Sequence, residues 1–510
     1  MLCVLPTFFR QHLTFHNVTA TMSLQTLPPE LIERVVVPLP LSDIGSLRLT
    51  NSCLASNAAQ KHLKARFQTK RVEITEERLR SFVAVTASDG LGCLLRDLTL
   101  VAPVYNTSEL TARLEENAAQ LAELDEDGQF VDLDFRDLTD EETRQAKLDL
   151  VVLQERLSNQ LDLLRHQNDV TLLGQALSNL AKRGGSLRVL RTDVAIYKDD
   201  TTTPLLPLFG GSWEPICASA ASVTHTVFAS LAACDLPVQS LDLFNSRHVL
   251  RCSLPCSVLN NIDFTSGRLV SSLGHLTEIS LRISDPVVDQ SSNETPLEAT
   301  HQPNLDGLRS FLRTCSSIRT LDLAHFSLAH VNNANLQHGR ILRVLSESGL
   351  PYLQNLTLQG FKVTEDELLS LLGGFEALRS ISLRSIKLMD GSFKRILDYC
   401  TMDAAMEELA LDSLFESSIV LFEPPWVVRP SASEDPRVGY PDSRAIYRRT
   451  SDDSAGLQIK HHAYQGHTLD SPFIKAWRQD LRNRFGPLPK DGKPSCLQPY
   501  IPAEQTWRYR

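Results

Sequence analysis

The sequence has none of the short motifs that mark common catalytic or cofactor sites. It contains no glycine-rich phosphate loop, no G-x-S-x-G nucleophile elbow and no pair of C-x-x-C motifs at zinc spacing. His248, Cys252 and Cys256 stand four residues apart, but Pro255 would interrupt any helix that placed them on one face. We therefore expect a protein that is not an enzyme and that holds no metal ion or cofactor.

The chain also lacks an excess of basic charge. Its 51 Lys and Arg face 61 Asp and Glu, a net charge of −10, and this argues against a nucleic-acid binder, which would need a positive surface. The 10 cysteines show no repeated spacing, which is typical of reduced thiols in the cytoplasm or nucleus. We expect no uncharged apolar run of the roughly 18 residues that a membrane span needs, and therefore no membrane association.

The length of the chain limits its organisation. With 510 residues, of which 42% are hydrophobic, the chain is too long for one compact core, so we expect two or three units or one elongated repeat array. Residues 1–22 begin with apolar side chains but have no basic region ahead of them and no small-residue cleavage site. We expect a disordered extension there, with an organelle-targeting peptide as the alternative.

Residues 27–54 read LPPELIERVVVPLPLSDIGSLRLTNSCL and predict three short apolar helices. Pro28 fixes φ at the start of the first helix, and Pro38 ends it. Between them, four apolar residues recur at helical spacing: Leu31, Ile32, Val35 and Val36. The second helix follows the cap residue Ser42, and three of its residues are expected to face the same small core: Ile44, Leu47 and Leu49. We therefore predict a helical module over residues 23–66.

This pattern resembles the F-box, with its L-P-x-E-L opening, a second L-P pair and a short apolar helix, and the chain is similar to fungal-type F-box proteins. F-box modules bind the Skp adaptor of cullin RING ubiquitin ligases. The resemblance implies that nine residues form the adaptor-binding surface: Leu27, Pro28, Glu30, Leu31, Ile32, Leu39, Pro40, Ile44 and Leu47. Cys53, Leu54 and Ala55 stand where many F-boxes have a Trp. A generic helical hairpin is the alternative interpretation.

A second pattern recurs along the rest of the chain: an apolar residue, two spacers, then two apolar residues separated by one. The copies LRDLTL, VQSLDL, LTEISL, IRTLDL, LQNLTL, LRSISL and MEELAL begin at Leu95, Val238, Leu276, Ile318, Leu353, Leu378 and Met406, and a fainter copy begins at Ser186. Each copy suits a short strand with alternate residues in a core. Apolar residues three and four apart predict helices over residues 305–312, 336–345, 365–372 and 392–399.

The spacing of these copies indicates a repeat architecture. Leu356 and Ile381 are 25 residues apart, and Ile381 and Leu409 are 28 apart, close to the roughly 20–29-residue period of leucine-rich repeats. Longer intervals of 35 and 42 residues precede them, from Leu321 and from Ile279. The array resembles an irregular leucine-rich repeat domain, which implies an α/β solenoid of strand–helix repeats over residues 67–422. An α/β domain with a flat parallel sheet is the alternative.

Two regions depart from the repeat pattern. An acidic helical insertion is predicted at about residues 104–168, because residues 123–149 hold 11 acidic residues against 3 basic ones. Its residues 123–134 have the spacing of an EF-hand loop, but Glu123 and Asp134 depart from the usual ends, so we favour a solvated hairpin or loop. Residues 423–510 contain 11 of the 26 prolines and predict a tail with a short amphipathic helix at 472–485, which would cap the repeats or bind a partner.

The order of the two modules predicts a function. An F-box followed by repeats is the arrangement of a substrate-recognition subunit of a Skp–cullin–F-box ubiquitin ligase, with the Skp adaptor, a cullin and an unknown protein substrate as partners. The alternative is a leucine-rich-repeat scaffold that is not part of a ligase and whose F-box-like segment is structural. On the strand faces, four arginines could meet acidic ligands: Arg282, Arg319, Arg379 and Arg384.

Overall fold

The computed structural model describes residues 24–58, 61–87, 91–105, 139–197, 214–245, 252–284, 302–326, 339–403, 406–412, 414–416, 420–422, 445–449 and 461–463, with a few positions between 107 and 131. These residues form two compact units that divide between Gln68 and Thr69, called here the helical unit and the sheet unit. The predicted extension 1–22, the helix 472–485, His248 and most of the EF-hand-like loop lie outside the described residues.

The helical unit contains four short α-helices: α1 (Pro29–Val36), α2 (Leu41–Thr50), α3 (Ser52–Asn57) and α4 (Lys61–Gln68), after a 3-10 turn at Leu24–Thr26. Pro40 is the N-cap of α2, two residues before the predicted cap Ser42. The Asn51 side chain accepts the Cys53 backbone N–H at 2.7 Å and caps α3. The Glu33 carboxylate accepts the His62 backbone N–H at 2.6 Å, so α1 holds the start of α4 in place.

The core of the helical unit is made by one side of each helix. Six apolar residues are at most 5% exposed: Ile32, Val36, Ile44, Leu54, Ala58 and Leu63. The prediction that Leu49 shares this core with Ile44 is wrong, because Leu49 is 90% exposed. Leu49 follows Ile44 by five residues, which rotates its side chain about 140° around the helix axis from that of Ile44. Leu49 therefore lies on a different face of α2 from Ile44.

The sheet unit is mixed α/β, as predicted, and its main sheet is mostly parallel. Its long strands are β1 (Thr69–Glu73), β2 (Asp97–Tyr105), β3 (Leu187–Tyr197), β4 (Val238–Leu243), β5 (Glu278–Ser284), β6 (Thr320–Phe326), β7 (Asn355–Gln359), β8 (Ser380–Arg384), β9 (Glu408–Asp412) and β10 (Ala445–Arg449). They lie side by side in chain order. Strands β1 to β9 are parallel to their neighbours, and β10 is antiparallel to β9.

Short strands add to this arrangement. Leu254–Pro255 pairs in parallel with β5. Three further two-stranded sheets form between Lys362–Thr364 and Lys387–Asp390, Val420–Phe422 and His461–Ala463, and Glu123–Leu124 and Phe130–Val131. Strand β10 and the strand at His461–Ala463 belong to the predicted tail, so the sheets continue past residue 422.

The repeated apolar motifs coincide with β2 to β9 and set their register. One row of directly opposed residues across these strands is apolar throughout: Leu98, Leu190, Leu241, Ile279, Leu321, Leu356, Ile381 and Leu409. Two residues further on, a second row contains Leu100, Thr192, Leu243, Leu281, Leu323, Leu358, Leu383 and Leu411. A slip of one residue would turn a strand's leucines to the opposite face, so these rows fix the pairing.

Helices cover the leucine side of the sheet. They are α5 (Glu76–Ala87), α7 (Asn168–Ala181), α8 (Glu214–Ala233), α9 (Gly267–Leu273), α10 (Asp306–Thr314), α11 (Gly339–Glu347), α12 (Glu365–Gly373) and α13 (Phe393–Asp398), with 3-10 turns at Leu91–Leu94, Cys256–Asn261 and Gln302–Leu305 and a π turn at Tyr399–Asp403. The four predicted helices correspond to α10 to α13. Their apolar faces join the two leucine rows in one core.

Helix α8 corrects one expectation about hydrophobic runs. Its segment Pro215–Ala233 is long and apolar enough to cross a membrane by length and composition, although we expected no such run. In this fold, 56% of that window is buried. Five of its apolar residues belong to the core of the sheet unit: Ile216, Val223, Val227, Phe228 and Leu231. Burial in the core of the sheet unit therefore explains the apolar composition of helix α8.

The helix α6 (Asp140–Arg165) begins on the side of the sheet opposite the other helices, and near its end Leu163 joins the leucine core. It begins at the predicted insertion residue Thr139, which forms a capping box with Glu142. Its residues Ala146 and Leu153 share a small core with residues of β2 and β3: Val101, Ala195 and Tyr197. These strand residues alternate with those of the leucine core, so α6 covers part of what we call the open face, the side of the sheet opposite the leucine rows.

Thr192 is the one polar residue in the second row. It is 0% exposed, and its hydroxyl has no hydrogen-bond partner among the described residues. We expect Thr192→Val to raise the free energy of unfolding by about 1 kcal/mol, since it removes an unsatisfied buried hydroxyl. Urea denaturation of both proteins would measure this. Thr226→Val is the matched control and should destabilise, because the Thr226 hydroxyl donates to Asp169. A less stable Thr192→Val would contradict the prediction.

Candidate functional site

The predicted adaptor-binding residues divide into exposed and buried groups. Four are exposed: Pro28, Glu30, Leu31 and Pro40. Leu27, Leu39 and Leu47 are half-buried. Ile32 and Ile44 are 0% exposed, so they support the surface from inside the helical unit and are not accessible to a partner.

The helical unit also exposes apolar residues outside the predicted set. They are Leu24 at 42%, Val35 at 42%, Val37 at 51% and Leu49 at 90%. Val35 lies one turn after Leu31, so the two share a side of α1 that faces away from the core. The sequence of α1 indicates this exposed side by two adjacent apolar pairs, Leu31–Ile32 and Val35–Val36. Ile32 and Val36 fill the inner side of the helix, which leaves their partners on the outer side. Leu31 and Val35 therefore form an exposed apolar pair on the outer side of α1.

A second candidate surface is the open face from β3 to β6, which carries a polar network. Arg191 lies 3.5 Å from the Asp242 carboxylate. The Asn245 backbone N–H donates to Asp242 at 2.9 Å, and its side-chain amide donates to Asp322 at 2.8 Å. The Arg282 Nε donates to the Asn245 side-chain oxygen at 3.0 Å. Asn245 therefore links two carboxylates and an arginine that come from three different strands.

The pKa of Asp242 is raised from its ordinary value of 3.8, first by burial, with a further contribution from the Asp322 charge. A carboxyl group whose folded pKa is raised contributes stability at low pH and loses it as the pH rises through that pKa. We therefore expect Asp242→Asn, which keeps an acceptor for Asn245, to be at least as stable as the wild type at pH 7. Its advantage should disappear near pH 3. Urea denaturation at both pH values tests this, and a variant less stable at pH 7 would contradict it.

A third group of polar residues lies at the β1 side of the sheet. Arg71 forms an ion pair with the buried Asp193 at 2.8 Å. The Tyr197 hydroxyl donates to Glu73, and the Tyr197 ring stacks on Tyr105 with ring centroids 5.6 Å apart. Burial and the Glu73 charge raise the pKa of Tyr105 to about 12. These groups satisfy one another and belong to the packing beneath α6.

Among the described residues, no group of three His, Cys, Asp or Glu side chains could hold a metal ion. Seven of the described cysteines form no disulfide bond; six of them are buried, and Cys53 is exposed. Burial raises the pKa of Cys234 to about 11 and that of Cys400 to about 12, which keeps these thiols protonated at neutral pH.

Comparison with known proteins finds a similarity over part of the chain. No protein-family model matches the chain. Over 167 residues, the chain is 30% identical to an F-box protein of Arabidopsis thaliana, and this region makes up 32% of either protein. The chain therefore matches about a third of the length of this curated relative.

Proposed function

We propose that this chain is the substrate-recognition subunit of a Skp–cullin–F-box E3 ubiquitin ligase. The observation that carries the proposal is the exposed apolar surface around Leu31, which is 43% exposed, with Pro28 and Pro40 also exposed. This surface belongs to a small unit whose sequence resembles the F-box. The similarity to an Arabidopsis F-box protein supports the same reading. Partners would be the Skp adaptor and, through it, a cullin.

The sheet unit would be an irregular leucine-rich-repeat solenoid that holds a protein substrate. Its strands follow one another in chain order, as expected when each strand–helix repeat contacts only its neighbours. The aligned leucines support a common repeat. The open face beyond the α6 contact would offer the polar side chains of successive strands to the substrate.

The mechanism would be tethering. The helical unit would dock on the adaptor while the sheet unit holds the substrate, which raises the substrate's effective concentration near the ubiquitin-conjugating enzyme. The chain would perform no bond chemistry itself, and its protonated buried thiols are consistent with that role. Seven of the described cysteines form no disulfide bond, which fits a reducing compartment, so we propose the cytoplasm or nucleus as its location.

The second candidate function is a scaffold that is not part of a ligase. It is favoured by the residues that replace the usual Trp of the F-box, since Leu54 is only 5% exposed. Leu54 fills the helical unit's own core, which suits a structural role for the segment. In this alternative, the sheet unit would still bind proteins, but no adaptor would dock.

A binding experiment distinguishes the two candidate functions. The full chain would be purified and mixed with the Skp adaptor and a cullin, and the complex would be isolated by affinity capture and size-exclusion chromatography. A ligase subunit is expected to co-elute with both partners. If the folded chain elutes alone at micromolar concentrations, the ligase role is excluded and the scaffold function takes its place.

A further inference from the structure

We propose that β1 binds an extended acidic segment of a partner protein, which adds to the main sheet as a further strand. β1 (Thr69–Glu73) is the first strand of that sheet, and in the part of the chain that the structure describes its one neighbouring strand is β2. The other side of β1 is called here the open edge. The inference goes beyond the proposed function, because it applies to a ligase subunit and to a scaffold alike.

The pairing with β2 shows which backbone groups of β1 face the open edge. The Ile74 N–H, just after β1, donates to the Val101 carbonyl of β2 at 2.8 Å, in a parallel register that pairs Val72 with Leu100. Successive residues of a strand direct their backbone groups to alternate sides, so Val72 and Lys70 also bond to β2. Three residues direct their backbone groups to the open edge: Thr69, Arg71 and Glu73.

Most of these outward groups are unpaired. The Glu73 carbonyl accepts the Thr75 N–H at 2.9 Å. Four other groups have no hydrogen-bond partner among the described residues: the Thr69 C=O, the Arg71 N–H and C=O, and the Glu73 N–H. The first three residues of β1 are exposed. Unpaired N–H and C=O groups on an exposed sheet edge are a template to which another strand can add.

The side chains of β1 disfavour a second copy of this chain as the added strand. Two copies of β1 would meet antiparallel, and the register that uses all four unpaired groups places Arg71 opposite the same residue of the second copy. Like charges directly opposite each other destabilise a strand pair, and charged residues on edge strands commonly prevent such self-association. The added strand is therefore expected to come from a different protein.

Lys70 sets the charge of that strand. Its side chain is exposed and forms no ion pair within the described part of the chain. Arg71, by contrast, is already paired with Asp193 at 2.8 Å, so a neutral residue suits the position opposite Arg71. The position opposite Lys70 belongs to a non-hydrogen-bonded pair, in which side chains approach most closely. An acidic residue there forms a favourable cross-strand pair.

These pairings define a peptide probe. An antiparallel segment of five residues reaches all four unpaired groups, and antiparallel pairing is the slightly more stable kind. The probe is a fluorescent nonapeptide with Thr-Val-Thr-Glu-Thr at positions 3 to 7, flanked by glycine and serine. Position 5 is opposite Arg71, the glutamate at position 6 is opposite Lys70, and position 7 is opposite Thr69. Fluorescence anisotropy with the purified full chain measures its affinity.

Backbone methylation of the peptide tests whether it binds as a strand. The N–H groups of positions 5 and 7 would donate to the Arg71 and Thr69 carbonyls, whereas those of positions 4 and 6 would point away from β1. N-methylation at positions 5 and 7 should weaken binding at least about 30-fold, since it removes two hydrogen bonds. N-methylation at positions 4 and 6 should leave the affinity within about threefold of the parent peptide.

Two outcomes of this experiment would overturn the inference. One is equal affinity of the two methylated peptides, because it would show that the backbone of the peptide does not pair with β1. The other is the absence of saturable binding of the parent peptide up to about 1 mM. Both outcomes are obtained with the wild-type chain, so neither depends on the folding of a variant.

Arg71→Pro blocks the open edge from the side of the protein. Proline has no N–H, and the N–H of Arg71 is not part of the pairing with β2, so the sheet should keep its strands. Arg71→Ala is the matched control, because it also removes the ion pair with Asp193 but keeps the N–H. Arg71→Pro should bind the peptide at least about tenfold more weakly than Arg71→Ala. Equal affinities of the two variants, both verified as folded by circular dichroism, would contradict the inference.

The charge of the added strand is tested by exchanging both members of the Lys70 pair. A second peptide carries lysine at position 6 in place of glutamate. The wild type should bind the glutamate peptide about threefold more tightly, as expected for an exposed pair, and Lys70→Glu should prefer the lysine peptide. A wild type without a preference would overturn the acidic specificity and with it the inference.

Analytical ultracentrifugation of the chain alone tests the other occupant. A monomer is expected at micromolar concentrations. A dimer that Arg71→Pro dissociates would assign the open edge to a second copy and would also overturn the inference. None of these results bears on adaptor capture, which concerns the helical unit, so failure here and failure of the ligase proposal are distinguishable.

Discussion

Leu31→Asp is expected to weaken capture of the Skp adaptor by at least about 100-fold. Leu31 is 43% exposed on α1 and adjoins the exposed Pro28. Loss of a central apolar contact commonly costs about 2 kcal/mol or more of binding free energy. The new carboxylate would also have to be buried in an apolar contact, which is strongly unfavourable. Together the two effects exceed about 2.7 kcal/mol, which corresponds to about 100-fold in affinity. Affinity capture with purified adaptor measures the change.

Pro40→Ala is expected to add a smaller loss. Pro40 is the N-cap of α2, with φ −65°, and its ring fixes the turn that orients α2 against α1. Alanine restores freedom to that turn in the unbound chain, so the double variant should bind less well than Leu31→Asp alone.

Val151→Asp provides the matched control for this prediction. Val151 is an apolar residue on α6 of the sheet unit and is 61% exposed, so the substitution makes the same chemical change at an accessible site outside the helical unit. It should leave adaptor capture unchanged. If Leu31→Asp, verified as folded by circular dichroism, captured adaptor as the wild type does, the predicted surface would be wrong.

Gly360→Ala is expected to destabilise the sheet unit by about 3 kcal/mol or more. Gly360 follows β7 with φ +85°, and a Cβ there would lie 2.3 Å from the His325 carbonyl oxygen. An alanine would combine the strain of a left-handed conformation with a clash against the backbone of β6, where no side chain can move aside. Urea denaturation followed by circular dichroism measures the lost stability.

Gly349→Ala separates the two causes. Gly349 has φ +65°, but a Cβ there would meet nothing within 4 Å. Gly349→Ala should therefore lose only about 1 kcal/mol of stability, from the left-handed backbone conformation alone. Gly360→Ala should therefore be much the less stable of the two variants. Equal losses would mean that β6 and β7 are not packed as closely as described.

The parallel sheet could be predicted from the sequence because the same apolar motif recurs in most of its strands. Each copy of the motif places two apolar residues on one side of a strand, and a row of eight such residues leaves one register in which all of them are buried. Strands β1 and β10 lack this signal. β1 buries only Val72 among its five residues, and β10 buries Ile446, so their membership of the sheet depends on pairing with distant segments.

The helical unit illustrates a different limit. Helical spacing identified α1 and α2, but apolar residues on both sides of a short helix do not reveal which side is inside. Ile32 was predicted to meet a partner and lies in the core. Ile44 was predicted both for the core and for the adaptor-binding surface and lies in the core, whereas Leu49 was predicted for the core and is 90% exposed. The choice of face is made by the packing of the four helices, which no single segment encodes.

The open face could be predicted only in part. The strand pattern indicated that Arg282 and Arg384 lie on an exposed side, but Asn245 follows β4 and carries no motif. Its bonds to Asp242 and Asp322 depend on the pairing of three strands. The side of the sheet against which α6 packs could not be predicted either, because the spacing of its apolar residues suits both sides.

The order of the strands has a consequence for how such a chain changes over evolution. Asn355 pairs with Thr320 on one side and with Ser380 on the other. Excision of the 25 residues 355–379 would bring Ser380 against Thr320, and Ile381 and Leu383 would take the positions of Leu356 and Leu358. Gain or loss of a whole repeat in the gene would therefore lengthen or shorten the protein in steps while each remaining strand keeps an equivalent neighbour.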